Sequence, residues 1–125
     1  MHITVSYNLS VHLYTVTPEV TFDNVTTPER MSVTLTCTVT AVPEANFTEI
    51  VRFVDGERIQ LVNDTNEEGM RSFTVTYSFE PLFVDDNGAV FQCLSINENG
   101  ETPADITLTV QGGLYIELML FQGIV

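Results

Sequence analysis

Few side chains in this sequence could do covalent or metal chemistry. A nucleophile–base pair would have to use His2 or His12, the only histidines. Both sit at the end or on the polar side of an early alternating stretch, where a histidine is ordinarily a surface residue. Cys37 and Cys93 cannot by themselves make a four-ligand zinc site, and both histidines are far from them in sequence. Neither cysteine belongs to a Cys-x-x-Cys pair, so one disulfide and an oxidising compartment are the economical expectation. The acidic clusters Asp64/Glu67/Glu68 and Asp85/Asp86/Asn87 offer oxygen atoms that suit calcium, but without EF-hand spacing or a cadherin-like motif. They are expected to be solvated loops. No catalytic residue, metal ligand or cofactor is therefore expected, and the chain reads as no enzyme.

The strongest chemical pattern is a modification signal. Asn-x-Ser/Thr acceptors occur at Asn8, Asn24, Asn46 and Asn63, none with proline in the middle. One such tripeptide is common by chance. Four beside a pair of cysteines point to an extracellular glycoprotein, either secreted or displayed at a cell surface. The formal charge is −13, from 17 acidic residues against 4 arginines. So acidic a surface repels phosphate backbones and anionic headgroups, which argues against nucleic-acid partners and direct lipid binding. It favours solubility or a basic partner. No secretory signal is evident in residues 1–15, and no apolar run reaches the 18 residues a membrane span needs.

The elements that must position these residues are strands. Apolar residues alternate with polar ones at Ile3–Leu13, Met31–Val39, Arg71–Phe79 and Ile106–Val110, the period of a half-buried strand. Further strands are expected at Val16–Val25, interrupted by Pro18, and at Glu49–Val54, Arg58–Val62 and Ala89–Ile96. Asp55-Gly56 and Asp85-Asp86-Asn87-Gly88 are turn signals, and 63–69 and 97–103 read as loops. Met31, Val33, Leu35, Cys37 and Val39 share one face, so Cys37 points inward. Seven or more short strands with polar turns mean a sandwich or a barrel.

Two segments are more specific. Val-Thr-Leu-Thr-Cys at 33–37 resembles the B strand of an immunoglobulin-superfamily domain. Asp-Asn-Gly-Ala-Val-Phe-Gln-Cys at 86–93 resembles that family's turn into strand F. Val-Arg-Phe-Val-Asp-Gly at 51–56 resembles strand C and the turn after it. The resemblance covers residues 15–111 and implies an all-β, two-sheet antiparallel sandwich whose sheets are joined by a Cys37–Cys93 disulfide. The cysteines are 56 positions apart, closer to the intermediate or constant-like sets than to antibody variable domains.

Three departures mark a divergent member. The sequence has no tryptophan, so the usual strand C partner of the disulfide is missing. Phe53 is expected to replace it, joining Leu35 and Phe91 in the core. Aligning on Asp55-Gly56 instead puts Arg52 at that position. Phe91 stands where the family has the tyrosine of its corner motif. Asn87 falls at the usual spacing of the turn acid, with Asp86 one residue further from Cys93. The resemblance also implies a structural ion pair between Arg71 and Asp86.

Residues 1–14 and 112–125 lie outside the match. The first is expected to be an extra strand or a linker. The second, after Gly112-Gly113, is an apolar tail. It reads as an added strand, a truncated membrane segment, or a scar, since its Glu-x-x-Leu-Phe-Gln-Gly core resembles a picornaviral 3C protease site. Either segment could pair with the other or with a twin chain to give a homodimer. The resemblance implies a protein-recognition module of an adhesion or immune-type receptor. Its partner would be a protein on another cell or another copy of itself, met through a sheet face, with Arg52 a contact residue if it points outward. A secreted immune-type lectin or effector, or a spacer domain, are the alternatives.

Overall fold

In Val33–Thr40 every second residue is apolar and every other one is threonine, and the chain obeys this pattern with strict buried–exposed alternation. The computed structural model describes residues 16–112. His2, His12, Asn8, the Ile3–Leu13 stretch and the Leu114–Val125 tail lie outside the described residues. In chain order the elements are β1 (Glu19–Phe22), β2 (Val25–Pro28), β3 (Val33–Thr40), β4 (Phe47–Val54), β5 (Glu57–Asp64) and β6 (Ser72–Phe79). They are followed by a single helical turn, α1 (Phe83–Asp86), and by β7 (Val90–Asn97) and β8 (Gly100–Gln111).

These strands form a three-stranded sheet ordered β1-β3-β6 and a five-stranded sheet ordered β2-β8-β7-β4-β5. Each sheet is apolar on one side, and the two must bury those sides against each other. The core between them holds Phe22, Leu35, Val39, Ile50, Phe91 and Leu108, all buried. Cys37 of β3 and Cys93 of β7 are bonded through this core, with Cα atoms 6.4 Å apart. In the chain-entropy model, closing so long a loop stabilises the fold by roughly 4 kcal/mol.

Four local expectations are corrected. The Val16–Val25 stretch is divided between the sheets: β1 pairs antiparallel with β3, and β2 runs parallel to β8. The crossover is pinned where the Asn24 side-chain Oδ1 accepts a hydrogen bond from the Thr107 backbone amide at 2.9 Å. Met31 does not extend the inward face of β3. It is 58% exposed, because the chain is still turning at Arg30 (φ 65°) and the strand begins only at Val33. Residues 97–103 are a hairpin rather than a long loop, since Asn97 pairs with Gly100 and β8 continues from there. Pro103 fits within β8 because β2 joins that strand only from Leu108 onward, leaving the proline on an open edge.

The fourth correction concerns β5. It continues to Asp64 and carries an irregularity: Ile50 pairs with Val62, yet Val51 pairs with Gln60. Leu61 is the additional residue, a β-bulge that reverses the side-chain alternation. At the other end of this hairpin, Asp55 (φ 52°) and Gly56 (φ 82°) both have left-handed backbones, as a two-residue turn matched to strand twist requires.

Candidate functional site

Arg52 and Phe53 compete for one inward position, and the register of β4 decides between them. Thr48, Ile50 and Arg52 lie opposite Ser95, Cys93 and Phe91 of β7, all buried. Arg52 therefore faces into the sandwich, and Phe53 faces outward, half-buried. This overturns the expected core role of Phe53 and an outward contact role for Arg52. Leu35 and Phe91 are fully buried.

The inward arginine is tolerated because its charge is met at once. Its Nη1 donates to Asp86 Oδ1 at 2.6 Å, and its Nη2 donates to the Asp85 carbonyl at 2.9 Å. The guanidinium carbon stands 5.6 Å from the Phe91 ring centroid, so cation–π attraction adds to the pair. Asp86 Oδ2 also accepts from the Leu82 amide at 2.7 Å, which closes the α1 turn. Asp86 is thus in an ion pair, but with Arg52 and not with Arg71. Arg71 is exposed and precedes β6 at Ser72, whereas Asp86 follows the far end of that strand. The length of β6, at about 3.3 Å per residue, separates them by roughly 23 Å. The pair seals one end of the sandwich and has a structural role.

The outer faces of the two sheets differ in chemistry. On the three-stranded sheet, Thr34, Thr36, Thr38 and Thr40 lie opposite Ser78, Thr76, Thr74 and Ser72, all exposed. The hydroxyls of Thr34 and Ser78 are hydrogen-bonded at 2.7 Å, and those of Thr40 and Ser72 at 3.3 Å.

The outer face of the five-stranded sheet combines apolar and polar groups. Phe47 and Phe53 of β4, and Leu94 and Ile96 of β7, are half-buried there, and Val51 is buried between Gln60 and Gln92. A row of hydrogen-bonded side chains crosses these strands. Glu49 Oε1 accepts from Arg58 Nη2 at 2.9 Å, and its Oε2 accepts from Gln60 Nε2 at 2.7 Å. Arg58 Nη2 also donates to Gln92 Oε1, and Gln92 Nε2 donates to Asp105 Oδ1. At the other end, Asn63 Nδ2 donates to Gln60 Oε1 at 2.9 Å.

The bulge makes this row possible. With regular alternation, Gln60 and Asn63 would lie on opposite faces; the additional Leu61 places both on the outer one. Asn63 is accordingly in a strand on the sheet face, and not in the loop expected after it. Of the row's members only Asn63 is singled out by a sequence motif. The available signal for the others was polar residues at outward strand positions, which reads equally as ordinary solvated surface.

The other described acceptors are exposed elsewhere: Asn24 at the crossover between sheets, and Asn46 at the sandwich end where its backbone N–H donates to the Ile96 carbonyl. The acidic 64–68 segment is built around Asn66, whose side chain bonds the Ala45 and Met70 carbonyls and the Met70 amide. A cleft of about 350 Å³ lies beside it. Among the described residues, no group of three or more histidine, cysteine or carboxylate side chains is placed to hold a metal. Also among them, no helix is long and apolar enough to cross a membrane.

No family model matches the chain, and neither does any curated protein. Among solved structures it is similar to titin Ig tandem domains A164-A165, with a TM-score of 0.53 and 22% identity. The match covers 77% of this chain and 48% of the titin chain, so this chain spans about half the length of that tandem. By its fold, with two β-sheets joined through Cys37 and Cys93, the chain is an immunoglobulin-like domain.

Proposed function

We propose that this domain is an extracellular protein-recognition module of an adhesion or immune-type receptor, contacting its partner through the outer face of the five-stranded sheet. One observation carries the reading: that face alone of the two sheets combines half-buried Phe47, Phe53, Leu94 and Ile96 with an ordered polar row. Aromatic and aliphatic anchors beside satisfied polar groups are what a contact surface uses, whereas serine and threonine contribute little. The partner is a protein with a basic surface, since a chain of charge −13 attracts positive potential and repels its own kind. Exposed glycosylation acceptors at Asn24, Asn46 and Asn63, together with the disulfide, support the extracellular setting.

The test is a tethered multimer of the domain, secreted from glycosylating cells and probed against an array of cell-surface ectodomains. Binding that is lost in Gln92→Lys and Leu94→Asp, but kept in Thr36→Lys and Thr74→Lys, supports the assignment. The reverse pattern moves the contact to the hydroxyl face. Capture of no ectodomain at all favours a spacer role, and sedimentation of the same protein measures self-association.

A further inference from the structure

We infer that Asn63 is a glycan attachment site whose oligosaccharide stands on the outer face of the five-stranded sheet, covers its β5 side and narrows the part of that face open to a partner. The inference rests on the extracellular reading above.

Three observations place it. The Leu61 bulge turns Asn63 outward, and its side chain is exposed. Thr65 supplies the hydroxyl residue two positions on. One Nδ2–H of Asn63 is held by Gln60 Oε1 at 2.9 Å, which leaves the second free for substitution.

In the transfer step, Nδ2 forms a bond to the anomeric carbon of an oligosaccharide carried on a lipid pyrophosphate. The bond from that carbon to the pyrophosphate oxygen breaks, the lipid pyrophosphate leaves, and Nδ2 loses one proton. The remaining N–H can still donate to Gln60. Gln60 is in turn held by Glu49, so the linkage is oriented by two neighbouring strands. Gln60 is therefore a positioning residue for the glycan.

The consequence is steric. Asn63 lies opposite Glu49, which lies opposite Leu94 on the next strand. At about 4.8 Å between strands, Leu94 is only about 10 Å from the attachment point, within the sweep of a bulky surface glycan. Asn24 and Asn46 lie outside the strands, each one residue before a strand of this sheet begins. Occupancy at Asn63 would thus set how much of the recognition surface is open.

The experiment uses the full chain secreted from glycosylating cells. Peptide mass after enzymatic deglycosylation in heavy-oxygen water reports occupancy at each acceptor. Hydroxyl-radical footprinting before and after glycan removal reports cover. We expect Asn63 to be occupied, and removal of its glycan to raise labelling of Phe47 and Leu94 about twofold or more, as loss of a bulky surface group would do. Met31, at the far end of the sandwich and 58% exposed, should be unchanged. Asn63→Gln should match the deglycosylated pattern. Glycans on Asn24 and Asn46 with Asn63 bare would overturn this inference while leaving secretion intact. All acceptors bare in secreted protein would overturn it and remove the glycosylation support for the extracellular reading. An occupied Asn63 with unchanged labelling would refute the shielding.

Discussion

The guanidinium of Arg52 meets the carboxylate of Asp86 at 2.6 Å across the mouth of the sandwich, with the face of Phe91 beside it. The pair joins β4 to the helical turn before β7, so it couples the middle of one sheet to the connection arriving from the other. Its side chains are 23% and 12% exposed. Water screens it only in part, and neither charge can be left alone at low cost.

Removing one partner is therefore expected to hurt more than removing both. Asp86→Ala should destabilise by about 2–4 kcal/mol, since it strands a partly buried guanidinium and frees the Leu82 amide. Arg52→Met in that background should recover part of the loss, because the thioether chain can still pack on Phe91 without a charge. Arg52→Glu should be the most damaging, with two carboxylates facing each other. Urea unfolding midpoints for the parent and the three variants test this; an Arg52→Glu protein as stable as the parent would place Arg52 outside the sandwich.

Thr48 and Ser95 are both fully buried, and their hydroxyls bond at 2.9 Å. Thr48→Val alone leaves the Ser95 hydroxyl without that partner and should cost about 1–3 kcal/mol. Adding Ser95→Ala should return most of it. Equal losses in the single and double variants would show that the pair is not coupled.

The disulfide makes a chemical prediction. Unfolded but unreduced protein should take up no maleimide, since Cys37 and Cys93 are bonded to each other and there is no third cysteine. The Cys37→Ala/Cys93→Ala protein should lose about 2–5 kcal/mol of stability. Stoichiometric labelling of the unreduced parent would contradict the bond.

Gly112 is packed tightly as β8 ends. A Cβ built there would sit 2.9 Å from Phe83 Cβ and Cγ and 3.1 Å from Glu29 Oε2. Gly112→Ala should push the Phe83 ring aside and cost about 1–3 kcal/mol, the range for overpacking. Val84→Ser, on the same turn but 90% exposed, should stay within about 0.5 kcal/mol. Thermal melts of the two variants separate the cases.

The architecture was legible because alternation is a local property. Val33–Thr40 declares which side is inward, Cys37 falls on that side, and Asp55-Gly56 closes a hairpin at its own position. Pairing across sheets is not local. Whether Arg52 or Phe53 faced the core depended on how β4 aligned with β7, and either answer was consistent with the sequence alone. Asp86 could meet Arg52 because distant strands end side by side, while Arg71 stands at the opposite end of β6. Asn63 was placed by one additional residue, Leu61, which reverses the period-two rule partway along β5. A period read from residue types carries no mark of such a reversal. Only hydrogen bonding to the neighbouring strand determines on which side each later side chain emerges.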